Sequence, residues 1–428
     1  MEDYLFESPQ EIGVTSEAEL ILSLRQAYMQ LYPVMEHVYF LQEVTTDELM
    51  VPGRVGARGQ ADWKSLQLHE FDPEHPLTTS AAEFIQNGIA ACNALLAYYA
   101  SDVPHSQQVA DLKDEVKLVR ALFCWWSLDL FGNLPPSTLP TLDTKIHTIE
   151  DLYYYCLNEV LNHSASLSKA ADATTYGRMN YWSSRMLLAK LYLNAEAYTG
   201  QPAWQKAADV LGEIVQAGPY QLEADYFLNF AINNQQSKEI ILAIPYDRQF
   251  APGFYLNALT RANSPAPHTG AGICVWPAVY ESFEVGDVRK EGLLGAASGF
   301  DYPIDGLSDN SSWEEGARIG KFEIDSHFQM NNDFPLFRYA DALLMYAEAL
   351  WRLDDQRALA YFNEVRRRSA ASPVSEISAA LILSERRREL YAEMHRRTDL
   401  IRFEKYRDGD WLPLEIPAGS SFFPLRKK

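Results

Sequence analysis

The chain has 428 residues, 47% of them hydrophobic, and a formal net charge of −21. That length and apolar content suffice for a large core, while the acidic balance argues against the basic face that a nucleic-acid partner requires. Four cysteines without CxxC or Cys/His spacing point to buried free thiols rather than zinc, and no run of 18 apolar residues predicts a membrane-spanning helix.

Helical apolar spacing predicts helices over Ala18 to about Tyr39, Ala81–Tyr99 and Leu112–Phe131, each followed by a breaker-rich turn such as "FGNLPPSTLP". Thr148-x-x-Asp151 is a capping signal for a further helix, Thr148–Leu161. Asn180–Tyr198 and Ala203–Gln216 read as a helical hairpin across "TGQP", stopped by Gly218 and Pro219. "EIILAIPY" (Glu239–Tyr246) is the clearest strand, β-branched and ended by Pro245.

From Tyr246 to Pro335 helical periodicity disappears. These 90 residues hold 10 of the 22 glycines and many large aromatics, the composition of a functional insert rather than a linker. "FPLFRYADALLMYAEALWRL" (Phe334–Leu353) then reads as a helix apolar over two thirds of its girth. One stripe runs through Leu336, Ala340, Leu343, Ala347 and Leu350, and a second through Tyr339, Ala342, Tyr346, Ala349 and Leu353. Arg338, Asp341, Glu348 and Arg352 fill a narrow polar stripe, with Glu348 and Arg352 spaced for an ion pair. Alternating small and large residues suit close packing on two sides. Ala207-x3-Leu211-x2-Ile214 and Ala358-x3-Phe362-x2-Val365 loosely match the second helix of a tetratricopeptide pair, without a clear 34-residue repeat.

No Gly-rich phosphate loop, G-x-S-x-G elbow or HExxH occurs. Abundant acids leave glycosidase-type acid–base chemistry open. The positive signals favour binding, because aromatic rings offer platforms to the C–H faces of sugar rings while planar Arg, Asp and Asn side chains fork onto hydroxyls. "FYLNALTRANS" (Phe254–Ser264) sets Tyr255 near Asn257; "CVWPAVYESFEVGDVRK" (Cys274–Lys290) holds Trp276 and Arg289; Trp313 follows. "TTDELMVPGRVGARGQADW" (Thr45–Trp63) is a second candidate, a polar rim from Asp47, Glu48, Arg54 and Arg58 over an aromatic floor at Asp62-Trp63. The expected ligand set is therefore Trp276, Tyr255, Trp313 and Trp63 as platforms, with Arg54, Asp62, Asn257 and Arg289 as polar partners. No cofactor and no metal are expected.

"FPLFRYADALLMYAEAL", "FNEVRRRS" (Phe362–Ser369) and "ERRRELYAEMHRRTDLIRFEKY" (Glu385–Tyr406) resemble the C-terminal signature of SusD/RagB-like proteins, glycan-binding lipoproteins of Bacteroidetes outer membranes. "DEVKLVRALFCWWSLDLFGNLP" (Asp114–Pro135) resembles the family's Glu-x4-Arg-Ala helix, "GIAACNALL" (Gly88–Leu96) its Ile-x3-Asn helix, and "TTDELMVPGR…DW" the aspartate–glutamate loop of one subgroup.

The resemblance implies a mostly α fold: one SusD-like domain over 1–428, with a right-handed tetratricopeptide-like scaffold at about 15–245 and 335–410. A loop-rich insert at about 246–335 completes it, with little sheet. It further implies no catalysis, capture of oligosaccharide at the cell surface, and a SusC-like TonB-dependent transporter as partner. Its ligand loops map to Arg54–Trp63 and Tyr246–Trp313. A lipobox cysteine is implied where Met1 stands, anchoring the protein in the outer membrane. Arg338, Glu348, Arg366, Glu385, Arg388, Glu389, Arg397 and Asp399 alternate in sign and predict ion networks between helices. Alternative readings are a helical-toroid glycoside hydrolase and a peptide-binding tetratricopeptide scaffold.

Overall fold

The computed structural model describes residues 17–53, 61–99, 107–134, 146, 148–246, 272–294, 316–323, 332–407 and 421–425. Among these, fourteen α-helices carry the fold and three two-stranded antiparallel sheets stitch it together.

The expected first helix is two: α1 (Glu17–Met29) and α2 (Val34–Glu43). Pro33 sits at the α2 cap, where its missing N–H and its ring break the first helix. A two-residue strand, β1 (Leu49–Met50), and α3 (Ala61–Gln67) precede the long pair α4 (Pro76–Tyr99) and α5 (Gln107–Phe131). In α6 (Ile149–His163) the Thr148 hydroxyl accepts from Asp151 N while the Asp151 carboxylate accepts from Thr148 N, the capping box expected from the sequence. Asn180 and Ser183 repeat that device at the start of α7 (Tyr181–Leu193). Next comes α8 (Ala195–Thr199), closed by Gly200 at φ +71°, then α9 (Trp204–Ala217).

The helices pack as neighbours in sequence: α4 on α5, α5 on α6, α7 on α9. In the C-terminal part, α11 (Tyr339–Arg352) packs on both α9 and α12 (Ala358–Arg368), so two helical hairpins stack side by side. The small residues of α11 sit in that contact: Ala340, Ala342, Ala347 and Ala349 have no exposed surface. Two short helices follow, α13 (Ala379–Leu390) and α14 (Arg396–Arg402).

One segment departs from the helical reading. Phe334–Arg338 is a strand, here β6, paired antiparallel with β2 (Ile240–Ile244) through Ile240↔Arg338 and Ile244↔Phe334. Leu336 therefore belongs to a buried strand, and the helix begins only at Tyr339, whose N–H donates to the Glu239 carbonyl. The polar stripe of α11 is likewise interior: Asp341 and Glu348 are completely buried and ion-paired.

The described parts of the insert are β3 (Cys274–Val275), α10 (Pro277–Glu281), a 3₁₀ turn at Val288–Gly292, β4 (Leu293–Leu294) and β5 (Arg318–Ile319). All four cysteines are buried and free.

Candidate functional site

The two loop segments singled out in the sequence meet at one small ribbon. β1 pairs with β3 through Leu49↔Val275 and Met50↔Cys274, and Val275 N also donates to the Ala317 carbonyl at 2.9 Å. Antiparallel register sets the departure of the chain from Met50 beside its arrival at Cys274. The third insert segment, which pairs β4 with β5, returns along the other side of β3. Trp276 fastens the ribbon to the turn beneath it: its backbone N–H donates to Glu48 O at 3.0 Å and its indole N–H to Thr46 O at 3.2 Å.

Carboxylates underneath hold that turn from below. Asp47 accepts from Arg396 (Nη2, 2.7 Å) and Arg387 (Nη1, 2.9 Å). Burial alone would raise the Asp47 pKa, but the charge of Arg396 and then Arg387 outweighs it and the pKa is lowered. Glu48 accepts from Ala392 N at 3.0 Å and Glu43 from Met394 N at 2.5 Å. Burial, and after it the proximity of Glu48, pushes the Glu43 pKa well up; burial also raises that of Glu48. Asp47 and Glu48 thus fail as rim residues: they are 7% and 1% exposed and serve as anchors.

Two of the expected ligand residues are also interior. Trp276 is 6% exposed, so it presents no platform. Arg289 is fully buried and held by Asp287 (2.7 Å), Glu385 (2.8 Å) and Glu389 (3.0 Å). Both corrections have one cause. Each side chain meets partners distant in sequence, which local composition does not reveal.

Arg289 belongs to a balanced network in which six cations (Arg289, Lys321, Arg338, Arg366, Arg368, Arg388) face six carboxylates (Glu239, Glu284, Asp287, Glu385, Glu389, Glu393). It binds the insert to β2, β6, α12 and α13. Equal numbers of opposite charges make its burial tolerable, since each ion is both paired and hydrogen-bonded. A second network runs from Lys190 through Asp341, Arg386, Asp399 and Arg402 to Glu348 and Arg352. Seven of the eight alternating charges predicted to bridge helices lie in these two networks; the eighth, Arg397, pairs with Asp129 at 3.5 Å.

Trp63 and Asp62 are the more accessible of the described candidates. Trp63, on α3, is half-buried with one ring face stacked on Phe40 at 5.0 Å and 23°. Asp62 is exposed beside it. Its carbonyl accepts from the Ser65 hydroxyl (2.9 Å) and lies 3.2 Å from His75 Nε2. Gln67 accepts from Val51 N and so ties α3 to the end of the ribbon. Phe40 and Gln67 went unnoticed in the sequence because each reads as an ordinary helix residue. Arg54, Tyr255, Asn257 and Trp313 lie outside the described residues.

The remaining motif residues are structural. Arg120 donates to Asn93 and Glu159, both at 2.7 Å, and so joins α4, α5 and α6. Glu115 accepts from Tyr28 (2.5 Å) and Arg178 (3.0 Å). Among the described residues, no group of three or more His, Cys, Asp or Glu could hold a metal ion.

Residues 320–417 match the sequence model of the SusD family. The starch-binding protein SusD of Bacteroides thetaiotaomicron is 27% identical over 369 residues, covering 70% of this chain and 65% of that protein. A SusD-like protein, P25, of Formosa agariphila is 26% identical over 369 residues, covering 71% and 66%. The chain thus spans just under two thirds of the length of these relatives. Among solved structures, the surface glycan-binding protein A of B. thetaiotaomicron in complex with laminarihexaose superimposes with a TM-score of 0.78. Identity is 23%, and the match covers 96% of this chain and 95% of the other. The corresponding protein of Bacteroides uniformis gives 0.80 at 20% identity, covering 96% of each. At these identities the likeness is one of fold.

Proposed function

From its membership of the SusD/RagB-like family, we propose that this chain binds oligosaccharide without turning it over, on the loop face built around the β1–β3 ribbon. The observation that carries the reading is the ribbon itself. It joins two segments, 45–63 and 246–313, that were each marked by rings beside forked polar groups. Trp63, with one face backed by Phe40, is a platform of the kind a sugar ring stacks on, and Asp62 is an exposed hydroxyl acceptor beside it. Tyr255, Trp313, Arg54 and Asn257 complete the proposed set, while Trp276 and Arg289 support the site from below.

One relative named for starch binding and a neighbour bound to laminarihexaose support a glucan-like ligand class. Family membership further supports a surface lipoprotein of the outer membrane that hands its ligand to a SusC-like TonB-dependent transporter. The test is a glycan array on the purified chain, followed by a reducing-sugar assay on whatever binds. Saturable binding with no released reducing ends is the expected result; sustained release would replace the binding role with the hydrolase reading. Tagged protein recovered from outer membranes should carry a TonB-dependent transporter with it.

A further inference from the structure

Two cavities adjoin on the helical scaffold, away from the ribbon. One, of about 500 Å³, lies between the turn before α7, the Pro219–Tyr220 turn and the 3₁₀ turn ending in Gln236. The other, of about 310 Å³, lies between α1 and the stretch Gly177–Arg178. Pro245, at the end of β2, is part of both walls. Gly177 crosses it with φ +68°, and a Cβ there would come within 2.3 Å of Pro245 Cγ. Only glycine allows this crossing, which forms a low saddle between two lobes.

We propose that this two-lobed groove is a second oligosaccharide-binding site, one lobe for each of two separated sugar units of a neutral chain. The proposal rests on the glycan-binding reading above but places a site where nothing in that reading does. Tyrosines line both lobes, and in each lobe one of them, Tyr176 or Tyr28, has its hydroxyl bonded to other parts of the protein. Tyr176 donates to Asp333 at 2.7 Å; Tyr28 donates to Glu115 at 2.5 Å and accepts from Met179 N at 2.7 Å. Rings held at their polar ends are preorganised walls that lose little freedom when a ligand arrives. In the larger lobe they stand with the carboxamides of Gln235 and Gln236, both exposed. Carboxamides offer a donor and an acceptor in one plane, which suits vicinal hydroxyls.

The charges of the larger lobe cancel, Asp172 against Lys238, which disfavours a phosphate or an acidic ligand there; of the two arginines lining the smaller lobe, Arg25 and Arg178, the second is paired with Glu115. A purely apolar ligand would strand the amides without partners. Both volumes fall within the range of small-molecule sites, roughly 300–1,000 Å³.

The test is titration calorimetry of the full chain with neutral hexasaccharides: maltohexaose, laminarihexaose, cellohexaose and mannohexaose. Ala171 and Ala173 are exposed on the wall of the larger lobe, so Ala173→Trp and Ala171→Trp fill it without disturbing the core. With a probe that binds, the parent should take up two molecules per chain. Each Trp variant should weaken one event at least tenfold and leave the other unchanged, with the melting temperature preserved. Loss of a single event in both variants would also support the groove and would relocate the principal site to it. A single event untouched by either variant overturns the groove and leaves the loop-face reading intact. No binding of any probe to the parent overturns both.

Discussion

The indole N–H of Trp276 donates to the carbonyl of Thr46, 230 positions earlier in the chain, at 3.2 Å. Trp276 is thus a bolt between the insert and the turn after α2, not part of a binding surface. Trp276→Ala should cost roughly 3–5 kcal/mol of stability, the usual range for truncating a buried tryptophan. The check is a urea midpoint alongside glycan affinity: the midpoint should fall sharply, while affinity measured well below the transition changes little. The reverse pattern would restore Trp276 to the ligand face.

Trp63 predicts the opposite. Trp63→Ala removes a half-buried ring whose stacking on Phe40 contributes roughly 0.5–1.5 kcal/mol. Thermal unfolding should shift modestly. Affinity for the bound glycan should fall by about tenfold or more, which corresponds to roughly 1.4 kcal/mol. Calorimetry on the same preparation reads both, and unchanged affinity would remove Trp63 from the site.

Gly88 on α4 lies directly under the ring of Phe123 on α5, where an added Cβ would come 2.3 Å from Cε1. Phe123 has no exposed surface into which to retreat. Gly88→Ala should therefore destabilise by roughly 1–3 kcal/mol through overpacking, despite the better helix propensity of alanine. Ala347→Leu, in the α9–α11–α12 contact, should cost a similar amount. Denaturant midpoints for the two variants check both.

Two histidines make the fold acid-sensitive. Burial holds His395 down to about 3, with the neighbouring Lys190 charge adding to the effect, and burial holds His69 down to about 4. Both are neutral in the fold, whereas the unfolded chain protonates them near 6.5. Their contribution is complete above pH 6.5 and is lost as pH falls from there through 4 and 3. Each adds a slope of up to roughly 1.4 kcal/mol per pH unit. The double variant His69→Gln/His395→Gln should flatten the stability profile between about pH 6 and 4.5. A profile as steep as the parent's would assign acid unfolding to other groups.

Glu43 and Glu48 act in the other direction. Their pKa values are raised, so the stability they bring is present at low pH and falls as pH rises through the folded values. Glu43→Gln keeps an acceptor for Met394 N and removes the charge. It should stabilise the chain at pH 8 by roughly 1 kcal/mol, with a smaller gain at pH 5. Equal gains at both pH values would show that Glu43 does not titrate in that range.

Elements set by neighbouring residues were legible in the sequence. Thr148 and Asp151 announce α6 because a cap needs only three residues of spacing. The alternating arginines and glutamates from Arg338 to Asp399 foretold charge networks, because such residues at interior helical positions must find one another. Phe334–Arg338 misled because Leu336 and Ala340 happen to fit a helical period; only pairing with β2 decides for a strand. Trp276 and Arg289 misled for a related reason. A ring or guanidinium in an irregular segment suits a ligand as well as a remote partner, and Thr46 or Glu385 cannot be chosen from local sequence.

The clasp beneath the ribbon also sets a timetable. Asp47 waits for Arg396, 349 residues further on, and Glu43 for the backbone of Met394, 351 further on. At ribosomal speeds that interval is roughly 20–70 s. Pairs such as α4 and α5 can close within seconds of emerging, because their partners are adjacent in the chain. The turn that leads into β1 must remain unlocked until α13 and the start of α14 have been made. A nascent chain arrested before Arg396 would hold formed helices and no locked ribbon, and its protease sensitivity should concentrate between α2 and β1.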